Sequence, residues 1–377
     1  MAYTTIDDGS AHFQVATWTG DGSSPRTITN DGNSDLQPDL VWHKNRTDSG
    51  RSHYIHDSSR GFGAHHELVP NSDSIENSDD HRTDNHGYIA SASTDSFVLG
   101  AGATNDNYTN NNSATYVAWQ WKANGGTATA TGSESGNNPA YSVQANQTAG
   151  FSIITYTGTG AEGDVTHGLG GKPDWIITKV RNGNADEPWP VWHKDLVDAD
   201  ADNGGYIYLN TTGEDQATSV FYEGDAISST VVAFKGGNAN VNADGTNYVM
   251  YCFRSIQGYS DFGTYRGSGN ADGPFIYTGF KPAWVMIKET GATGSWHIFD
   301  NKRSASGGGN LIDSILYADT NDTEATSQTG NPIDILSNGF KCRGSGNDTN
   351  LDDGRYIYMA FAEHPFVSSE GVPTTAR

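Results

Sequence analysis

The strongest constraint on this fold is a phrase that occurs three times along the chain. "LQPDLVWHKNR", "GKPDWIITKVR" and "FKPAWVMIKET" each place apolar residues two, three and four positions after a proline, and a lysine six positions after it. These lysines are Lys44, Lys179 and Lys288. A long, steady internal period indicates that a chain is built from copies of one structural unit.

Two further landmarks keep the same order in each copy. An aromatic residue followed by a Gly-x-Gly pair precedes the proline, and a tyrosine-led strand closes the copy: "YVAWQW", "YVMYCF" and "YIYMAF". The proline and the first tyrosine of that strand are 78, 75 and 74 residues apart. The sequence therefore predicts three units, at 1–122, 150–257 and 258–363, each near the commonest domain size of roughly 100–150 residues.

Two segments fall outside the repeat. Residues 123–149 are nearly all small and polar, which is typical of a linker. Residues 364–377 form a C-terminal tail. The join between the second and third units is short, so we expect those two units to pack side by side.

Composition predicts an all-β fold of three tandem β-sandwich units, jelly-roll or lectin-like. The chain has 46 glycines, 18 tyrosines and 9 tryptophans, and is rich in strand and turn formers. In "YVAWQW", Val117, Trp119 and Trp121 share one large apolar face, as a sandwich core requires. We expect each unit to bury its own core, and each repeated lysine to return the chain to water with its stem along the apolar edge.

Net charge argues against two classes of partner. The chain carries a formal charge of -23, which repels nucleic acid phosphates and anionic membranes. No stretch approaches the roughly 18 apolar residues of a membrane-spanning helix, and the chain begins without a cleavable-signal pattern. We therefore expect a soluble protein with no nucleic acid partner and no membrane insertion.

One acidic segment is a candidate calcium site. In "DADADNGG", Asp198, Asp200 and Asp202 alternate as carboxylates do at the start of a calcium-binding loop. Asn203 stands where that loop requires glycine, and Leu209 where it requires glutamate. A solvated acidic turn is the favoured interpretation, with Ca²⁺ as the one cofactor left open.

No catalytic residues are predicted. A polysaccharide-cleaving site needs two carboxylates about 5–10 Å apart, and with 45 acidic residues such pairs arise by accident. No nucleophile elbow, His-Glu-x-x-His motif or phosphate-binding loop is present. The sequence therefore favours a protein that is not an enzyme.

The polar loops before the three closing strands are candidate glycan-binding edges. They read "NDNYTNNN", "GNANVNADGTNY" and "SGNDTNLDDGRY". A long loop rich in Asn, Asp and Gly in every copy suits a binding edge, although a hydrated turn explains any single copy somewhat better. The candidate ligand-binding residues are Asn107, Tyr108, Asn240, Asn242, Asp244, Asn347, Asp348 and Asp352.

Several phrases together resemble one group of proteins. "AYTTIDDGSAHFQVATWTGDG", "TNDGNSDLQPDLVWHKNR", "TYVAWQWKANGG" and "HGLGGKPDWIITKVRN" are similar to repeat-containing virion structural and tail-fibre-like proteins of tailed bacteriophages of marine and freshwater hosts. The resemblance covers nearly the whole chain. Gln120 departs from it, because a cysteine is expected there. The resemblance implies a place on the phage particle and brings no active-site residues with it.

The resulting expectation is a non-enzymatic virion structural protein on the particle surface, in the tail fibre or capsid decoration class, assembled in the host cytoplasm. The alternative is a glycan-binding module for receptor recognition, and a polysaccharide depolymerase is less favoured. The expected partners are other virion proteins, further copies of the chain in a homotrimer, and a host surface glycan.

Overall fold

Antiparallel strands make up nearly all the regular structure. The computed structural model describes residues 3–81, 83–183, 186–196, 204–218, 220–303 and 309–374. The two α-helices within these ranges, α1 (Thr83–His86) and α2 (Asn347–Asn350), have four residues each, and no helix described there has the length and apolar character to cross a bilayer. The predicted all-β class is confirmed.

Each repeat contributes its own set of strands. The strands of the first unit are β1 (Phe13–Thr19), β2 (Arg26–Thr29), β3 (Leu40–Asn45), β4 (His53–Asp57), β5 (Tyr88–Ser93), β6 (Ser96–Gly100) and β7 (Thr115–Trp121). Those of the second are β8 (Ala130–Gly132), β9 (Ala140–Asn146), β10 (Phe151–Thr157), β11 (Gly163–Thr166), β12 (Trp175–Val180), β13 (Pro190–His193), β14 (Tyr206–Tyr208), β15 (Val231–Phe234) and β16 (Asn247–Phe253). Those of the third are β17 (Ser260–Arg266), β18 (Phe275–Tyr277), β19 (Phe280–Glu289), β20 (His297–Asp300), β21 (Leu311–Ile312), β22 (Leu316–Tyr317), β23 (Ile333–Leu336), β24 (Gly339–Cys342) and β25 (Arg355–Pro365).

The strands of each unit form two sheets, an inner and an outer one. The inner sheets have the orders β1-β7-β3-β4, β14-β13-β12-β16-β10-β9-β8 and β17-β25-β19-β20-β22. The outer sheets are β2-β6-β5, β11-β15 and β18-β24-β23-β21. In the inner sheets the closing strand lies between β1, β10 or β17 and the strand that carries the repeated lysine, so the repeat in sequence is a repeat in topology.

The segment at 123–149 does more than connect two units. It supplies β8 and β9, which extend the inner sheet of the second unit beyond β10. In the described part of the chain, the first and third units show no such extension, and their first strands, β1 and β17, are sheet edges.

The three inner sheets face one common core, which the expectation of a core held within each unit did not include. Trp121, Phe253 and Phe361 are equivalent residues of the three closing strands. Their rings meet pairwise with centroids 5.6 to 6.4 Å apart, and all three are buried in a cluster to which every unit contributes. The opposite face of each closing strand packs on its own outer sheet, as Tyr116 and Ala118 do in the first unit.

The units close into a ring through one repeated backbone hydrogen bond. The N–H of Glu76 in the first unit donates to the carbonyl of Arg181 in the second at 3.1 Å. Asp215 of the second unit donates to Thr290 of the third, and Glu324 of the third to Arg46 of the first, both at 2.9 Å. The three acceptors each lie eight residues after the repeated proline. We call these contacts the one–two, two–three and three–one junctions.

Candidate functional site

The predicted calcium residues cannot be placed. Asp198, Asp200 and Asp202 lie outside the described residues. Within the described ranges, no group of three or more His, Cys, Asp or Glu side chains is arranged to hold a metal ion.

The three predicted glycan loops share one internal anchor, a buried asparagine. The Asn242 side chain accepts a hydrogen bond from the Thr159 N–H at 3.0 Å and donates to the Ala161 carbonyl at 2.5 Å. Asn350 and Asn110 make the corresponding contacts to the Gly-x-Gly turns of their own units. Asn242 therefore fastens a loop, since its amide groups are occupied inside the protein.

The closing-strand tyrosine fastens the other side of each loop. The Tyr248 hydroxyl accepts from the Ala243 N–H at 2.8 Å and donates to the Ala239 carbonyl at 2.7 Å. Tyr116 and Tyr356 repeat the arrangement, so the carbonyls of the predicted residues Asn107 and Asn347 are hydrogen-bond acceptors within the fold.

The predicted aromatic platform is not available to a sugar. Tyr108 is only 8% exposed. Its ring stacks on Tyr54 with centroids 4.5 Å apart, and the edge of His86 contacts it at 4.8 Å. A ring that is buried against two other rings stabilises the loop and cannot stack on a ligand.

The remaining candidates divide by exposure. The amide of Asn240 is half-buried and donates to Asn238 Oδ1 at 3.1 Å, and a carboxylate oxygen of Asp348 lies 3.9 Å from His297 Nε2. Asp244, Asn347 and Asp352 have exposed side chains. Only these last three present free polar groups at a loop surface.

The repeated lysines lie at the junctions, and the expectation that they return the chain to water is wrong. Lys44, Lys179 and Lys288 are fully buried. The ammonium of Lys179 donates to the carbonyls of Glu187 and of Asp73 in the neighbouring unit, both at 2.5 Å. Loss of hydration is the main cause that lowers the pKa of Lys44 and Lys179 to about 7 and that of Lys288 to about 8.

Two junctions also contain buried acid–arginine pairs. At the one–two junction, Arg60 Nε lies 2.5 Å from Asp57 Oδ2, both side chains are fully buried, and the Tyr251 hydroxyl donates to the same carboxylate at 2.7 Å. The three–one junction repeats this arrangement with Arg303, Asp300 and the indole N–H of Trp119.

A glutamate completes each of these two junctions. Arg60 and Arg181 approach Glu76 at 2.7 and 2.9 Å, and Arg303 and Arg46 approach Glu324 at 3.1 and 2.6 Å. Burial alone would raise the pKa of Glu324, but the two arginines lower it. Arg181 and Arg46 belong to the neighbouring units, so the pairs Glu76–Arg181 and Glu324–Arg46 join the units at these junctions.

The two–three junction differs in chemistry. His193, Leu196 and Met359 occupy the positions of Asp57, Arg60 and Tyr251. At these three positions, therefore, two junctions are polar and one is largely apolar. Elsewhere in the two–three junction, Arg355 pairs with Asp215 at 3.4 Å. Sequence reasoning predicted contact between the second and third units but not the residues of any junction, although the Asp-x-x-Arg spacing is present in "HDSSR" and "FDNKR".

The geometry defines an all-β protein in which three sandwich units close around one shared core. The family model described as "Domain of unknown function (DUF7483)" matches residues 8–365, which include all the strands from β1 to β25. The chain therefore belongs to this family. No curated protein and no solved structure matches it.

Proposed function

We propose that this protein is a non-enzymatic structural component on the surface of a tailed-bacteriophage particle, in the capsid decoration or tail fibre class. The observation that carries the proposal is the ring of three similar units, closed by the same backbone hydrogen bond at every junction. Such a ring presents three related faces around one axis, which suits contact with a partner of threefold symmetry. The similarity of the repeated phrases to phage virion proteins supports the same assignment.

The use of the polar residues supports a structural role. The buried asparagines, lysines and acid–arginine pairs bond to the backbone or to each other. A catalytic group needs an open position for a substrate, whereas the hydrogen bonds of these groups join loops and units within the protein.

Mass spectrometry of density-purified particles, from the phage that encodes the chain, tests the proposal. We expect the chain at a fixed copy number per particle. Its presence in the infected-cell lysate together with its absence from purified particles would overturn the proposal.

Light scattering of the recombinant chain, with and without a calcium chelator, tests two further proposals. A mass three times that of the chain would support the homotrimer. Its loss on chelation would assign the acidic segment at 198–202 to assembly, and a mass that does not change would speak against calcium.

Glycan binding is a second candidate function, supported by the exposed side chains of Asp244, Asn347 and Asp352 on corresponding loops. A glycan array probed with the recombinant chain tests it. Specific binding that Asp352→Ala weakens, with no loss of stability, would favour a receptor-recognition module over a purely structural component.

A further inference from the structure

The second unit contains a strand that its two counterparts lack. Strand β9 pairs along the whole of β10, from Phe151 opposite Asn146 to Thr157 opposite Ala140. The side chain of Gln144 also donates to the hydroxyls of Ser58 and Ser59 in the first unit, at 2.8 and 2.6 Å. β9 therefore fills a groove between β10 of the second unit and the turn at Ser58 and Ser59 of the first unit.

The same groove exists twice more, and no strand among the described residues fills it. One lies between β17 and the turn at Asp195 and Leu196 of the second unit, with a cavity of about 540 Å³. The other lies between β1 and the turn at Asn301 and Lys302 of the third unit, with a cavity of about 150 Å³. Both turns directly follow the strand equivalent to β4, as Ser58 and Ser59 do. Ser255 covers one end of the edge of β17, where its hydroxyl accepts from the Phe262 N–H at 3.3 Å, and residues 31–33 line the groove beside β1.

The backbone of both free edges is oriented to accept a strand. In an antiparallel ladder, alternate residues direct their N–H and C=O groups to opposite sides. Gly20, Gly158 and Gly267 donate to the residue directly before the closing strand of their units, so the backbone N–H and C=O of the residue three positions earlier point away from that strand. These residues are Thr17, Thr155 and Thr264.

Only one of the three threonines has a partner on that side. Thr155 pairs with Ser142 of β9. Thr17 and Thr264 are exposed, and no strand in the described part of the chain pairs with their outward side. A free edge of this kind is a template for a further strand.

We propose that the outer edges of β1 and β17 are acceptor sites for an extended, uncharged peptide segment of a different protein, which adds to each inner sheet as β9 adds to β10. This inference rests on the geometry of the edges and does not depend on the proposed place on a phage particle. The strand in the filled groove defines the chemistry of the occupant.

Three properties follow from β9. Residues 137–147 contain no Asp, Glu, Lys or Arg. Val143 is buried in the outer core of its unit, so the occupant needs a small apolar side chain at that position. Gln144 bonds the turn of the neighbouring unit, so an amide or hydroxyl is needed one residue later. In each copy of this chain β9 is already paired with β10, so the occupant is a segment of a different protein and not the β9 of a second copy.

The test uses the full chain and a labelled synthetic peptide of residues 137–148 as the probe. We expect saturable binding in fluorescence anisotropy, at no more than two sites per chain. The double substitution Thr17→Pro and Thr264→Pro removes the two outward N–H groups and leaves the native ladders intact, because proline is tolerated at sheet edges. It should weaken binding by at least about tenfold. The matched control, Thr17→Val with Thr264→Val, keeps both N–H groups and should bind as the unaltered chain does.

A second measurement covers the outcome in which the proline variant does not fold. In NMR spectra of the unaltered chain, the peptide should shift amide resonances of 13–19 and 260–266. No binding at millimolar peptide, binding that the proline substitutions leave unchanged, or shifts confined to 151–157 would each overturn the proposal. Self-association of the chain alone that the proline substitutions abolish would assign the edges to a second copy, and would also overturn it.

Discussion

Lys179 places an amine with no access to water where two units meet. Its ammonium lies among backbone carbonyls of the first and second units. Burial lowers its pKa to about 7, although the carboxylates of Asp73, Asp186 and Glu187 act in the opposite direction. The pKa of this lysine in the unfolded chain is the ordinary 10.5, so folding releases a proton at mildly alkaline pH.

We predict that the free energy of unfolding rises with pH between about 7 and 10, in part because of Lys179. In this window the unfolded chain binds the proton and the folded chain does not, so each such lysine contributes at most about 1.4 kcal/mol per pH unit. Below about pH 7 both states are protonated and this slope disappears. Urea denaturation of Lys179→Met across the window should show a shallower rise than the unaltered chain.

Lys302→Met is the control for this prediction, because the Lys302 side chain is 40% exposed and pairs with an exposed aspartate. It should leave the pH slope unchanged. Equal slopes for Lys179→Met and the unaltered chain would mean that the buried amine stays protonated in the folded state.

We predict that Asn242→Ala lowers the free energy of unfolding by about 2–4 kcal/mol, because it leaves the Thr159 N–H and the Ala161 carbonyl without their partner. Thermal and chemical denaturation measure the loss. Asp244→Ala, two residues away and exposed, should stay within about 0.5 kcal/mol of the unaltered chain. An Asn242→Ala protein as stable as the unaltered chain would show that these two hydrogen bonds do not hold the loop in place.

The sequence contains the signal for this anchor. Asn110, Asn242 and Asn350 each stand six residues before the closing-strand tyrosine. Loop composition alone selected Asn242 as a ligand-binding candidate and passed over its two counterparts. The sequence around the repeated lysines gave no comparable signal of their burial. A carbonyl that accepts a hydrogen bond from Lys179 belongs to Asp73, which is 106 residues away in sequence.

Strands and turns meet at the junctions, where the acid–arginine pairs replace apolar packing. We predict that Arg60→Leu costs about 3–5 kcal/mol, because it leaves the buried Asp57 carboxylate without its cation. The variant with Asp57→His, Arg60→Leu and Tyr251→Met copies the side chains of the two–three junction. It should recover at least about half of that loss, since no buried charge is then unpaired.

Denaturant titration of the single and triple variants measures both values. A triple variant that is less stable than Arg60→Leu would show that the polar and apolar junctions are not interchangeable. The sequence predicted the strands on either side of these junctions, because their periodicity is local. It did not predict which face of a closing strand packs against another unit. "YVAWQW" is buried on both faces, and the period of the apolar residues does not indicate which unit each face contacts.

The closed ring makes the three units dependent on one another. The triangle of Trp121, Phe253 and Phe361 lies where the inner sheets meet, so removal of any unit exposes the large apolar faces of the other two. Sequence repetition revealed three units, and repetition alone is equally compatible with a linear array of independent domains.

We predict that residues 1–122 do not fold cooperatively alone. The isolated unit would expose Trp42, Trp119 and Trp121, which are at most 3% exposed in the full chain, and burial of each such ring contributes roughly 1.5–3 kcal/mol or more. Its outer core has only ten buried residues. Calorimetry of the full chain should show one cooperative transition and that of residues 1–122 none, with strong binding of a hydrophobic dye to the fragment. A cooperative transition in the fragment would mean that the outer core is sufficient, and that the shared core orders three units that are already folded.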